Sequence, residues 1–249
     1  IGRIAGHVGS HKFDLNILNQ YAWAQDRLMS TFKLGDVMAG KKLVFFDCDG
    51  VLLDSNGVKL AAVDHALAHY PQALRDRCKE SFRLNFGRAR HWHFEAFERL
   101  IAPRGPAARD FVAASIARYE DYLRSHYRCS AVVAGAPQLL ALLQEQGVTC
   151  FVVSGGKEEE ITEALGVSGI DRYMARIIGS PTAKIAAINA LLEQHDCAAA
   201  QAVFLGDAIA DAEAAIACKV PFIFVSGHAL VDRSTLSARW PAGHWAVEV

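Results

Sequence analysis

Four short apolar runs, each closed by a small or acidic residue, constrain the fold of this chain more than any other feature. They are LVFF at 43–46, TCFVV at 149–153, AVFL at 202–205 and PFIFV at 221–225. Unbroken runs of that length, rich in Val, Ile and Phe, suit strands buried on both faces of a parallel sheet. Helical patterns lie between them. APQLLALLQEQG opens beside a proline and closes at Gly147, KEEEITEALG carries acids in its first turn, and AKIAAINALLEQH repeats its apolar residues at helical spacing. Strand alternating with helix predicts an α/β fold built on a doubly wound parallel sheet.

From about Val58 to Cys129 the alternation fails. VKLAAVDHALAHY, HWHFEAFERLI and ARDFVAASIARYEDYLRSHY are amphipathic helix candidates with no convincing strand among them. The expected division is an N-terminal extension of unassigned role at 1–40, a core at 41–57 and 130–249, and an all-helical insert at 58–129. In the extension, Leu15, Leu18, Ala22, Met29 and Phe32 can line one helical face, which suits packing or an oligomer contact.

At 249 residues the chain has room for one large domain or a core with a smaller insert. No run is long and apolar enough to span a bilayer, and no signal-peptide pattern opens the chain, so a cytoplasmic location with no membrane partner is expected. A chain beginning at Ile1 reads as trimmed or excised from something longer. The six cysteines are scattered without a CxxC pair and read as reduced thiols. Net charge is −1, yet Arg75 to Arg128 holds 12 Lys/Arg against 7 Asp/Glu, so a basic insert faces an acidic remainder. That asymmetry suits a solvated helical surface or a lid that attracts an anion. The excess is small and its aromatics do not interleave with basic residues, which argues against nucleic acid as a partner.

The chemistry gathers where strands end. Asp47 and Asp49 follow the first run in FFDCDGVLLDS, Ser154 follows the second, and Asp207 and Asp211 follow the third in FLGDAIAD. Ligands of an open parallel sheet bind outside the carboxyl ends of its strands, so these side chains are expected at one edge. Four crowded carboxylates repel one another and raise one another's pKa values unless a cation sits among them. Hard oxygen ligands of this kind suit Mg²⁺. A DxD, a GDxxxD or a Ser after a strand is weak alone; the ordered set, with Lys184 between Ser154 and Asp207, is specific.

That set resembles the haloacid dehalogenase superfamily of phosphotransferases. FFDCDGVLLDS is similar to its first motif DxDGxxxDS, FVVSGG to the second, Lys184 of GSPTAK to the third, and FLGDAIAD to the fourth. The likeness runs from about 42 to 226, and an insert between the first two motifs is similar to the helical C1 cap of the β-phosphoglucomutase and phosphoglycolate phosphatase branch. It implies a Rossmann-like core carrying a cap.

The resemblance also implies roles. Asp47 would be the nucleophile, becoming an aspartyl-phosphate, and Asp49 the acid that protonates the leaving oxygen and the base that activates water. Mg²⁺ would be held by Asp47, the backbone carbonyl of Asp49, Asp207 and, in support, Asp211. Ser154 and the N–H of Gly155 would bind the phosphoryl oxygens, and Lys184 would offset charge on Asp47 and the phosphoryl group. Gly50 would turn the chain sharply below the site, while Asp54 and Ser55 read as a cap on the helix that follows. Keeping Asp49 separates the chain from the dehalogenases and phosphonoacetaldehyde hydrolases, and Cys48 from the P-type ATPases, which carry Lys there.

Substrate choice is expected in LNFGRARHWHFE, where Arg88 or Arg90 could clamp a second anionic group. His91 and His93 fall on different helix faces and read as structural. The expected function is a Mg²⁺-dependent phosphatase acting on a small phosphorylated metabolite, a sugar phosphate or similar monoester. Its alternatives are a phosphomutase or an excised domain with an assembly role.

Overall fold

The computed structural model describes residues 38–102, 110–239 and 247–248. The apolar face expected from Leu15 to Phe32 lies outside those residues. A six-stranded sheet runs in the order β5-β4-β1-β6-β7-β8, with every neighbouring pair parallel. Its strands are β1 (Leu43–Phe46), β4 (Thr149–Lys157), β5 (Met174–Ser180), β6 (Ala202–Gly206), β7 (Phe222–Phe224) and β8 (Val247–Glu248). The apolar runs at 43, 149, 202 and 221 supply β1, β4, β6 and β7. β5 has no such run because it sits at the sheet edge and exposes Ala175 and Arg176.

Both faces of the central strands are buried, and the pleat divides their side chains. Val44 and Phe46 join one core cluster with Val152 and Leu205, while Leu43 and Phe45 join the other with Phe151, Val153 and Phe204. Helices cover both faces, so the fold is a doubly wound, Rossmann-like α/β sheet. They are α5 (Ala136–Glu145), α6 (Glu158–Ser168), α7 (Lys184–Gln194), α8 (Ile209–Ala217) and α9 (Arg233–Arg239).

Among the described residues, four helices interrupt the core after β1: α1 (Asn56–Ala66), α2 (Gln72–Leu84), α3 (Arg90–Ile101) and α4 (Phe111–His126). A two-stranded antiparallel pair, β2 (Leu53–Asp54) with β3 (Ala131–Val132), ties the outgoing and returning chains together. The helical cap therefore stands on a double stalk at the carboxyl edge of the sheet. β1 lies between β4 and β6, so the chain leaves it in both directions. That switch point is where an open α/β sheet offers a crevice.

Candidate active site

The three central strands deliver their chemistry to that crevice. Asp47 follows β1, and its backbone N–H donates to Leu205 O of β6 at 2.9 Å. Ser154 lies within β4, Asp207 just beyond β6, and Asp211 in the first turn of α8. Asp47, Asp49, Ser154, Asp207, Asp211 and Lys184 are all buried. Carboxylate oxygens of Asp47, Asp207 and Asp211 lie within 4.8 Å of one another.

Lys184, at the start of α7, donates to Asp47 Oδ1 at 2.7 Å and to Asp211 Oδ1. Burial works against its charge, but Asp211 and Asp47 more than offset that and raise its pKa. One ammonium does not neutralise three carboxylates. Asp207 is pushed well above the usual carboxylate range by burial and by the charges of Asp47 and Asp211, and Asp211 is raised to about 7, mainly by burial. Asn56 donates to Asp207 Oδ2 at 2.6 Å, whereas Asp207 Oδ1 is buried without a hydrogen-bond partner among the described residues. An orphaned carboxylate oxygen in a group of three fits a hard divalent cation such as Mg²⁺.

Glycine is required at two points. Gly50 has φ +77°, and a Cβ there would lie 2.0 Å from Asp207 Oδ2. Gly155 is approached by the cap, for a Cβ on it would lie 2.1 Å from the carbonyl oxygen of Gly87. Ser154 Oγ accepts from the N–H of Gly156 at 3.2 Å, near the end of β4.

The cap reaches the site through Arg88 and through Arg90, which opens α3. The structure places both guanidinium groups in ion pairs that cross to the core. Arg88 donates to Glu213 of α8 at 2.6 Å, and Arg90 to Glu160 of α6 at 2.9 Å and to Glu120 of α4 at 2.7 Å. Both still line a cavity of about 20 Å³, with Asp49, Lys59, His93 and Ser154 among its other walls. That is room for about one water. A wider groove, about 300 Å³, opens on the Lys184 side between Trp92 and Ile185. His93 is buried against the rings of Phe82 and Phe97, and burial with the nearby charges of Arg88 and Lys59 lowers its pKa to about 3. His91 is exposed.

Residues 44–225 match the family model described as haloacid dehalogenase-like hydrolase. The chain belongs to that family. Two curated relatives are phosphoglycolate phosphatases. That of Vibrio parahaemolyticus is 27% identical over 186 residues, 70% of this chain and 78% of its own. That of Pseudomonas savastanoi is 28% identical over 218 residues, 80% and 74%. Among solved structures, a hydrolase from Pseudomonas syringae superposes with a TM-score of 0.68 at 18% identity, covering 84% of this chain and 93% of that one. A predicted phosphatase from Clostridium acetobutylicum gives 0.67 at 19%, covering 84% and 94%. Within the haloacid dehalogenase-like hydrolases the chain is an enzyme of the phosphatase class.

Two contacts of this haloacid dehalogenase-like site are not read from the motifs. Ser55 stands at the N-cap position of α1, yet its hydroxyl donates to Asp49 Oδ1 at 2.6 Å and not to a helix N–H. Lys59 of α1 is ion-paired with Asp49 Oδ2. It lies before the basic stretch and outside all four motifs. The available signal was its spacing: Asn56, Lys59, Val63 and Ala66 form the buried face of α1, so a lysine occupies a place in the apolar stripe.

Proposed function

We propose that the chain is a Mg²⁺-dependent phosphatase of a small phosphomonoester, working through an aspartyl-phosphate on Asp47. The observation that carries this reading is the buried group of Asp47, Asp207 and Asp211 with a single ammonium, Lys184, among the described residues that pair with it. Asp47 and Asp207, with the backbone carbonyl of Asp49 and support from Asp211, would hold the ion. When bound, it offsets the negative charge that otherwise keeps a carboxylate from an anionic phosphoryl group.

The chain's own residues do the rest. Lys184 turns Asp47 Oδ1 and shares its charge, leaving the other oxygen to attack phosphorus. Ser154 Oγ and the N–H of Gly155 face the phosphoryl oxygens from β4. Asp49 hands its proton to the leaving oxygen as that P–O bond breaks. It then takes a proton from the water that attacks the aspartyl-phosphate, which releases phosphate and restores Asp47. Arg88 and Arg90 line the small cavity beside Asp49, which supports them as neighbours of the substrate's organic part. The relatives' names put phosphoglycolate first among candidates, and the free thiols support the cytoplasm as the compartment.

The test is phosphate release from phosphoglycolate, sugar phosphates, nucleotides and an aryl phosphate, with Mg²⁺ or EDTA, beside Asp47→Asn. Metal-dependent release that drops to background in Asp47→Asn, a loss of roughly 10⁴-fold or more, is expected. Release that survives EDTA or the substitution overturns the mechanism. Turnover seen only with a sugar bisphosphate activator would replace hydrolysis by a mutase.

A further inference from the structure

We infer that Lys59, brought by the cap, is the residue that positions Asp49 for proton transfer. This inference rests on the phosphatase reading above and assigns a role that the four motifs leave empty. Asp49 is buried, and both of its oxygens are held: Oδ1 by the Ser55 hydroxyl at 2.6 Å and Oδ2 by the Lys59 ammonium. A carboxyl group held at both oxygens keeps one rotation about χ2, and proton transfer depends steeply on that aim.

Lys59 is built into the site rather than resting on it. Its Nζ lies 5.0 Å from the ring centre of Tyr127 and 6.0 Å from that of Phe86, and a Cβ on Gly156 would come within 3.3 Å of it. The ammonium therefore sits between Asp49 and the Ser154–Gly156 end of β4, on the wall of the small cavity they share. Stability alone is a poor reason for such a pair. Taking two charges out of water is expensive, and an apolar pair of similar volume often serves a fold as well or better. The partners also belong to different parts of the molecule. Asp49 is on the core and Lys59 on the first cap helix, so the proton-transfer group is fully aimed only with the cap in this position.

The proton and phosphorus balance is that of the proposed reaction. Asp49 enters this step protonated, gives its proton to the leaving oxygen as the P–O bond breaks and the bond from Asp47 forms, and is then the carboxylate that pairs with the Lys59 ammonium in this structure. Lys59 gives and takes nothing; it holds Oδ2 in place.

The experiment compares kcat/KM, which reports only as far as phosphorylation of Asp47, for an alkyl phosphate such as glycerol phosphate and for 4-nitrophenyl phosphate. The first needs a proton on its leaving oxygen and the second scarcely does. Wild type, Lys59→Met, Lys59→Arg, Asp49→Asn and the Asp49→Asn/Lys59→Met double variant are measured. Lys59→Met is expected to lose about 100-fold on the alkyl substrate, the lower end of what a positioned acid supplies, and under about 5-fold on the aryl one. Lys59→Arg should recover at least a tenth of the alkyl activity, and Lys59→Met should add little in the Asp49→Asn background. Equal losses on both substrates, or independent losses in the double variant, overturn the inference while leaving the phosphatase reading intact. A wild type inactive on every phosphate overturns both. Circular dichroism checks folding, and if Lys59→Met does not fold, Lys59→Gln and Lys59→Arg carry the same comparison.

Discussion

Two buried lysines each hold one aspartate of the DCD turn, and their surroundings differ in a way that separates the jobs of the two halves of the site. Lys184 comes from the core and meets Asp47 and Asp211, with Asp207 close by. Lys59 comes from the cap and meets Asp49 alone among the carboxylates of the group. Negative charge exceeds positive on the Lys184 side, so that side calls for a further cation. On the Lys59 side the charges match and nothing more is required. In the proposed mechanism the side chains for metal chemistry and for proton transfer are thereby separated by the width of one residue, Cys48, whose buried thiol is held above its usual pKa mainly by desolvation.

The comparison breaks most visibly at Lys184. Lys184→Met leaves the three acids without their ammonium, and kcat should fall by about 10²- to 10³-fold, as when one preorganised donor to developing charge is removed. The loss should be similar for alkyl and aryl phosphates, because in the proposed mechanism Lys184 acts on Asp47 and the phosphoryl group and not on the leaving oxygen. The metal-free variant should also unfold earlier, since an uncompensated buried charge costs about 3–5 kcal/mol. Mg²⁺ should recover more of that stability in Lys184→Met than in wild type. A selective loss on alkyl phosphates would erase the distinction between the two lysines.

The Lys184 side was legible in the sequence and the Lys59 side was not. Asp47, Asp207 and Asp211 each follow a buried parallel strand, and strand ends converge by geometry that any such sheet must obey. Lys59 is placed by the packing of a helix against a stalk, which no strand register dictates. The same division runs through the fold. β1, β4, β6 and β7 announce themselves as apolar runs, whereas β5 hides because Arg176 faces outward at the edge. α2 is not among the helix candidates read from the sequence: it is strongly polar and buries only Cys78 and Phe82 against its neighbours. Arg88 and Arg90 could be located from the sequence but not their partners, because Glu213 and Glu160 lie on core helices 125 and 70 residues away.

Those arginines give the next test. Arg90 is 12% exposed and joins the cap to α6. Arg90→Ala should raise KM about tenfold, roughly 1.4 kcal/mol, with kcat changed less than threefold. A measurement of KM against ionic strength should show the wild type weakening with salt and the variant doing so less. If kcat carries the loss instead, Arg90 belongs with Lys59 in aiming the chemistry and not with binding. Glu160→Gln should reproduce the direction of the Arg90→Ala effect wherever the ion pair itself, rather than a direct contact with substrate, is responsible.

The smallest effect concerns the cap wall behind Lys59. His93 has its pKa lowered from 6.5 to about 3 by burial, reinforced by the charges of Arg88 and Lys59. The unfolded chain therefore binds a proton at His93 that the folded cap refuses. The neutral ring's contribution is complete above pH 6.5 and is lost as pH falls towards 3, with a slope of at most about 1.4 kcal/mol per pH unit for one proton. Carboxylates titrate in the same range, so the measurement is a difference: urea unfolding of wild type and His93→Phe at pH 7, 6, 5 and 4. Phenylalanine keeps a flat ring between Phe82 and Phe97 and removes the titration. The wild type should lose stability faster on acidification, and the two curves should converge towards neutral pH apart from a constant offset. Parallel curves would mean that the cap admits water or a proton to His93. In that case the Lys59 side would be less closed than the Lys184 side, and the separation of metal and proton chemistry would depend on cap position as well as on charge.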